Sequence, residues 1–229
     1  MMKKTVLALA LLATTASAFA ADSVDVRVIG TIVPAACTPS LSGGGTVDYG
    51  TIKADTISAT SYTVLPEKQV PFSIVCDAPA KVALSVVNGR PGTLAGSTST
   101  GNGILPVGVF GGAASSVVGA GLGMDGTAKI GGYGLRIDSS TVTLDGVAAD
   151  VIRREAGSVT TWSADAVGSL YNNGSRQTTF SAPASTTPQA FQALAGQIGV
   201  QAYINKGSEL DLSKPVRLDG LSTIELVYL

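Results

Sequence analysis

Histidine is absent from this 229-residue chain. That gap removes the commonest general base, the usual partner of a catalytic serine and the commonest metal ligand. Charge is sparse and balanced, with 15 Lys and Arg against 16 Asp and Glu. Such a chain carries no field to draw nucleic acid or anionic lipid. Aromatics make up only 5%. No apolar run reaches the roughly 18 residues that read as a membrane-spanning helix, so no membrane insertion is expected. No G-x-S-x-G, calcium loop or fixed-period repeat occurs, and no long amphipathic helix is evident. These absences argue against an ordinary cytosolic enzyme and for a non-enzymatic chain with no cofactor and no nucleic-acid partner.

What is present begins with an export signal over residues 1–20. Lys3 and Lys4 supply the positive start, Thr5 to Ala13 a short apolar run, and Ala18-Phe19-Ala20 an A-x-A cleavage site. Ala16-Ser17-Ala18 offers a second such site, and no lipobox cysteine follows. The expected product is Ala21 to Leu229, exported out of the cytoplasm. Its two cysteines, Cys37 and Cys76, allow one intramolecular pairing. In an oxidising compartment the pair reads as a structural disulfide, because a metal site lacks further Cys or His and redox motifs hold their cysteines two residues apart. Closing a loop of this size stabilises by roughly 4 kcal/mol in the chain-entropy picture.

The rest reads as β-structure. Val24-Asp25-Val26-Arg27-Val28 alternates with period two, and Gly30 and Ile32 continue the even register up to Pro34. Thr46 to Lys53 is expected as a second short strand. Val70–Cys76 and Lys81–Val87 are expected as an antiparallel pair turning at Asp77-Ala78-Pro79. Further strands are expected at Ile130–Ile137, Ser139–Leu144, Val159–Ala164, Gln177–Phe180, Ile198–Ile204 and Thr223–Tyr228, with one helical turn at Gln189–Ala195. Asn88-Gly89, Asn102-Gly103 and Asn173-Gly174 punctuate them as turns. Residues 89–132, rich in Gly, Ala, Ser and Thr, are expected as loops inserted in one domain.

Several motifs carry little. Gly121-Leu122-Gly123-Met124-Asp125-Gly126 matches G-x-G-x-x-G, but no helix follows to meet a pyrophosphate, so it reads as loop. Asp145, Asp150, Glu209 and Asp211 read as loop or strand-end acids rather than a hydrolytic pair. Arg153-Arg154-Glu155 reads as surface. The two ends carry more. Val24, Val26, Val28, Gly30 and Ile32 would share one face of an extended strand, and that face must be buried somewhere. Ile224, Leu226 and Tyr228 share a face of the last strand, with Leu229 closing it. If the chain ends on that strand, the sandwich is one strand short and the groove beside it is open.

These features resemble a chaperone–usher pilin, the subunit of Gram-negative fimbriae. The resemblance is carried by Gly30-Thr31-Ile32-Val33-Pro34-Ala35-Ala36-Cys37, by Cys76 ending an apolar strand, by Gly50 after Asp48-Tyr49, and by Ser222-Thr223-Ile224-Glu225-Leu226-Val227-Tyr228-Leu229. It spans roughly residues 21–87 and 198–229. The chain departs from pilins in its greater length and in carrying Val216 where they usually have a Gly. The resemblance implies an all-β, incomplete immunoglobulin-like sandwich over 34–229, with Gly-rich loop insertions and an N-terminal donor-strand extension at 21–33. It implies a cell-surface fimbrium reached through the periplasm, serving adhesion or biofilm formation. The implied partners are neighbouring subunits, a periplasmic pilus chaperone and an outer-membrane usher. Val24, Val26, Val28, Gly30 and Ile32 would donate, and the groove at Ile224, Leu226, Tyr228 and Leu229 would accept, by β-strand addition. Burying four aliphatic side chains gives at most about 6–12 kcal/mol per joint. A different reading is a monomeric exported β-sandwich that binds carbohydrate or a receptor and pairs its first strand within its own sheet.

Overall fold

A computed structural model describes residues 24–33, 35–97, 103–112, 117–157 and 161–229. The expected export signal lies outside them, as do Asn102 and Val159. The chain divides into two units, the first holding residues 24–33 and the second spanning Ala35–Leu229. In the first, residues 24–33 form no strand ladder among the described residues.

The second unit is all-β. Its strands run β1 (Cys37–Leu41), β2 (Thr63–Val64), β3 (Lys68–Ala80), β4 (Val82–Asn88), β5 (Gly103–Ile104) and β6 (Val118–Gly121). They continue as β7 (Met124–Asp125), β8 (Ala128–Lys129), β9 (Gly131–Ile137), β10 (Thr143–Leu144), β11 (Val147–Ala148) and β12 (Asp150–Glu155). The last are β13 (Ser163–Ala164), β14 (Ser169–Leu170), β15 (Arg176–Ser181), β16 (Phe191–Ile204) and β17 (Ser222–Tyr228). Two sheets face each other. The first has the order β1-β3-β16-β9-β6-β5, and the second β13-β12-β15-β4-β17. β7 and β8 form a separate hairpin. Phe72 and Ile74 of β3, Leu135 and Ile137 of β9, and Leu194 and Ile198 of β16 meet Leu84 and Val86 of β4, Val151 and Phe180 across the core. Phe180 packs edge-on against Phe191. This is the expected sandwich, and Cys37 and Cys76 are joined in a disulfide that ties β1 to β3.

Several local expectations are corrected. β3 and β4 do not form a hairpin. Even-numbered residues face the core from Val70 through Cys76 and again from Val82 through Val86, so the chain passes between sheets without changing its inward side. No residue from 77 to 81 takes the positive φ that a two-residue hairpin needs. Residues 46–53 are not a strand. Gly43, Gly44 and Gly45 all have left-handed φ and turn the chain out of the sheet after β1. Gln189–Ala195 is not helical but runs into β16, whose register shifts between Phe191 and Ala193. That bulge spaces the buried Phe191, Leu194 and Ile198 as a helix would. Ser139–Thr141 is a 3-10 turn capped by Asp138, and only Thr143–Leu144 pairs as strand. Residues 89–132 hold more than loops. They contain β5 to β8, and they bury Leu94, Ala95, Leu105, Val109 and Val117 around Tyr203 in a second small core. Tyr203 points away from its inward neighbours Ala202 and Ile204, so this core lies on the outer face of the first sheet.

Candidate functional site

A groove of about 450 Å³ opens along one side of the second unit. Its floor is the sandwich core itself: Val70, Tyr133, Leu135, Ile198, Val200 and Ala202, carried by β3, β9 and β16 of the first sheet. One wall is Leu41 with Gly44 to Val47 and Tyr49; the other is Leu218 to Ser222 with Ile224. A smaller cavity of about 260 Å³ adjoins it between Pro39, Ser40, Leu41 and Phe72 on one side and Ser222, Thr223 and Ile224 on the other. The groove therefore lies between an edge strand of the first sheet, β1, and an edge strand of the second, β17. Each has a ladder partner on one side only among the described residues.

The walls are fixed by specific bonds. β1 leaves its sheet at the three left-handed glycines, and Val47, Tyr49 and Ile52 then pack on the core. Tyr49 Oη donates to Val200 O at 2.9 Å and accepts from Ala202 N at 3.2 Å. On that edge of β16, β3 pairs up to Val200 and β2 resumes at Tyr203. The phenol bridges the gap in the ladder, and its burial raises its pKa. On the other wall, Arg90 Nη2 lies 2.8 Å from Asp219 Oδ1 and holds that carboxyl below its ordinary range. Under the wall, Ser222 Oγ donates to Asn172 Oδ1 and shares a hydrogen bond with Tyr133 Oη. Burial pushes the Tyr133 phenol up to about 12.

The site residues expected from sequence are placed as follows. Ile224 lines both cavities. Leu226 packs against the core beside it without lining either. Tyr228 is half-exposed and its hydroxyl accepts the Cys37 N–H at 2.8 Å. Leu229 is partly exposed and its N–H donates to Lys81 O. Val24, Val26, Val28 and Ile32 are between 85% and 100% exposed, and Ile29 and Val33 are exposed too. The segment is thus apolar on both faces toward its end, beyond the single stripe expected. Gly30 completes the even register.

The other motifs serve local structure. Asp145 and Gly146, both at positive φ, turn the β10–β11 hairpin. Asp145 Oδ1 also accepts Gln192 N and Ala193 N at the β16 bulge. Asp150 accepts Ala184 N, Asp211 accepts from Ser213, and Glu209 pairs with Lys206. Gly121 to Gly126 run from the end of β6 into the β7–β8 hairpin. Arg153 and Glu155 join Asp165 and the buried Arg176, while the Arg154 guanidinium lies 4.5 Å over Trp162. Among the described residues no group of three metal-ligating side chains gathers, and no helix is long and apolar enough to cross a membrane.

Sequence reasoning missed most of the groove lining. Tyr49 and Tyr133 come from segments whose relation to β17 is set only by the tertiary fold, while Leu218 and Leu221 lie in the irregular stretch just before β17, which carries no periodic signal.

A family described only as "Protein of unknown function (DUF1120)" matches residues 26–134. That stretch holds Val26, Val28, Gly30, Ile32 and both cysteines. Two proteins of Escherichia coli (strain K12) align over almost the whole chain. "Uncharacterized protein YhcF" is 29% identical over 224 residues, 93% of each chain. "Protein GltF" is 27% identical over 244 residues, 93% of this chain and 92% of its own.

Proposed function

We propose that this chain is an exported, non-enzymatic subunit of a surface fimbria that polymerises by strand donation. Residues 24–32 of one copy fill the groove between β1 and β17 of the next. The observation that carries the reading is the pairing of two unfinished features in one molecule. One is an apolar groove floored by core side chains and flanked by two half-paired strands. The other is an alternating apolar segment with its side chains exposed.

A strand laid in the groove would give β17 its second ladder partner and cover Leu135, Ile198 and Val200. Its alternate side chains would meet the floor while its main chain satisfied the edges, which is how strand addition gains both affinity and specificity. Gly30 would let the two backbones approach closely. Donor and acceptor surfaces differ, so the contact is heterologous and propagates as an open fibre. A periplasmic chaperone and an outer-membrane usher are the implied assembly partners, with export supported by the disulfide, which persists in oxidising compartments.

The test is to remove residues 21–33 and express the chain with its assembly chaperone and usher. The truncated protein should fold, accept a neighbour's strand and terminate fibres, because it has nothing to donate. Incorporation at both ends as efficient as the full chain's contradicts the reading. A full-length monomer that stays soluble unaided and never links to others favours the monomeric binding module instead.

A further inference from the structure

We propose that Tyr228 is a latch at the disulfide end of the groove, competing with an incoming strand for the outward main-chain donor of β1. The inference rests on the strand-donation reading and assigns a residue that controls it.

The register of β1 against β3 sets which main-chain groups face the groove. Cys37 stands opposite Cys76, Thr38 opposite Val75, Pro39 opposite Ile74 and Leu41 opposite Phe72. Asp77 N donates to Ala36 O at 3.0 Å, which makes the adjacent 36–77 pair the bonded kind. Bonded and non-bonded pairs alternate along an antiparallel ladder. Cys37, Pro39 and Leu41 are therefore the residues whose main chain faces away from β3, toward the groove. Pro39 has no N–H to offer. Only Cys37 and Leu41 can donate to a strand entering there, and the Cys37 N–H is already held by Tyr228 Oη at 2.8 Å. That bond joins the two edge strands directly.

The cavities agree with this division. Leu41, Ser222 and Ile224 line both of them, whereas Cys37 and Tyr228 line neither. The groove is open at the Leu41 end and closed at the disulfide end. An arriving strand engages first around Leu41, and its advance toward Cys37 requires the Tyr228 hydroxyl to let go. Until then, the phenol satisfies a main-chain donor that would otherwise wait for a partner.

The test uses the folded protein lacking residues 21–33 and a synthetic peptide of residues 21–33, with amide exchange followed by NMR. In the free protein the Cys37 amide exchanges slowly; in Tyr228→Phe it exchanges fast, while amides of the β3–β16 ladder are unchanged. Losing one competing hydrogen bond tightens peptide binding by about threefold to tenfold. A readout in the unsubstituted protein needs no variant: progressively shortened peptides perturb the Leu41 amide before they perturb Cys37. Equal affinity in both proteins, with Cys37 exchange unaltered by the substitution, overturns the latch. Simultaneous perturbation of Leu41 and Cys37 by every peptide that binds also overturns it. Failure of the peptide to bind either protein, with Cys37 still protected by Tyr228, sinks the groove reading and leaves the bond without a function.

Discussion

The phenol of Tyr49 occupies a place that main chain leaves empty. Its hydroxyl both donates to β16 and accepts from it, across the interval between β3 and β2. Replacing it with Phe strands a half-buried amide and carbonyl, at a cost of about 1–3 kcal/mol in urea-induced unfolding. The same burial has a consequence for pH. Tyr133 is pushed up to about 12, and Tyr49 is raised in the same direction, above the ordinary 10.0. A phenol whose folded pKa exceeds its unfolded one contributes stability fully below the unfolded value and loses it as pH climbs through the folded value. Stability should therefore decline between pH 10.0 and about 12, and decline less in Tyr133→Phe, as urea titrations across that window will show. Ile224 tests the groove at this scale. Because it is only half-buried and borders both cavities, Ile224→Arg should leave the chain folded by circular dichroism while abolishing capture of a 21–33 peptide.

Among the elements, β1 depends most on a single tie. It is five residues long, pairs only with β3 among the described residues, and forms one edge of the groove. Reducing the Cys37–Cys76 bond should lower stability by roughly 4 kcal/mol, and it should also weaken peptide capture, because the edge is no longer held against Cys76. The comparison is made by calorimetry and peptide titration on oxidised and reduced protein. β16 shows why some elements were legible from sequence and others not. Its later part, Ile198–Ile204, alternates cleanly and reads as strand. Its first part carries a bulge braced by Asp145, and there the buried residues fall at helical spacing. Period alone misreads such a place, because the brace lies far away in the chain. The supposed β3–β4 hairpin failed for a related reason. Proline and small residues at 77–80 look like a turn, yet even-numbered residues face inward both from Val70 to Cys76 and from Val82 to Val86. The last strand was readable because its alternation is regular, and the disulfide because its two cysteines have no other partner. The alternation at residues 24–32, expected as a half-buried strand, is instead exposed and forms no ladder among the described residues. The second core around Tyr203 was hidden by Gly-rich composition, which reports loop flexibility and conceals five well-spaced apolar anchors.

At the scale of the whole molecule, the proposed subunit is a half-joint at each end. The groove is built from the same residues that hold the sandwich together, so filling it should raise stability as well as link copies. Mass action then ties the melting temperature to donor concentration, and added 21–33 peptide should raise it progressively until the groove saturates. The most direct measurement mixes two single-ended proteins: one lacking residues 21–33, the other full-length with Ile224→Arg. Neither should polymerise alone. Together they should form a one-to-one pair and nothing longer, seen by light scattering after size separation. Fibres from either protein by itself, or no pairing between two well-folded partners, would contradict the account.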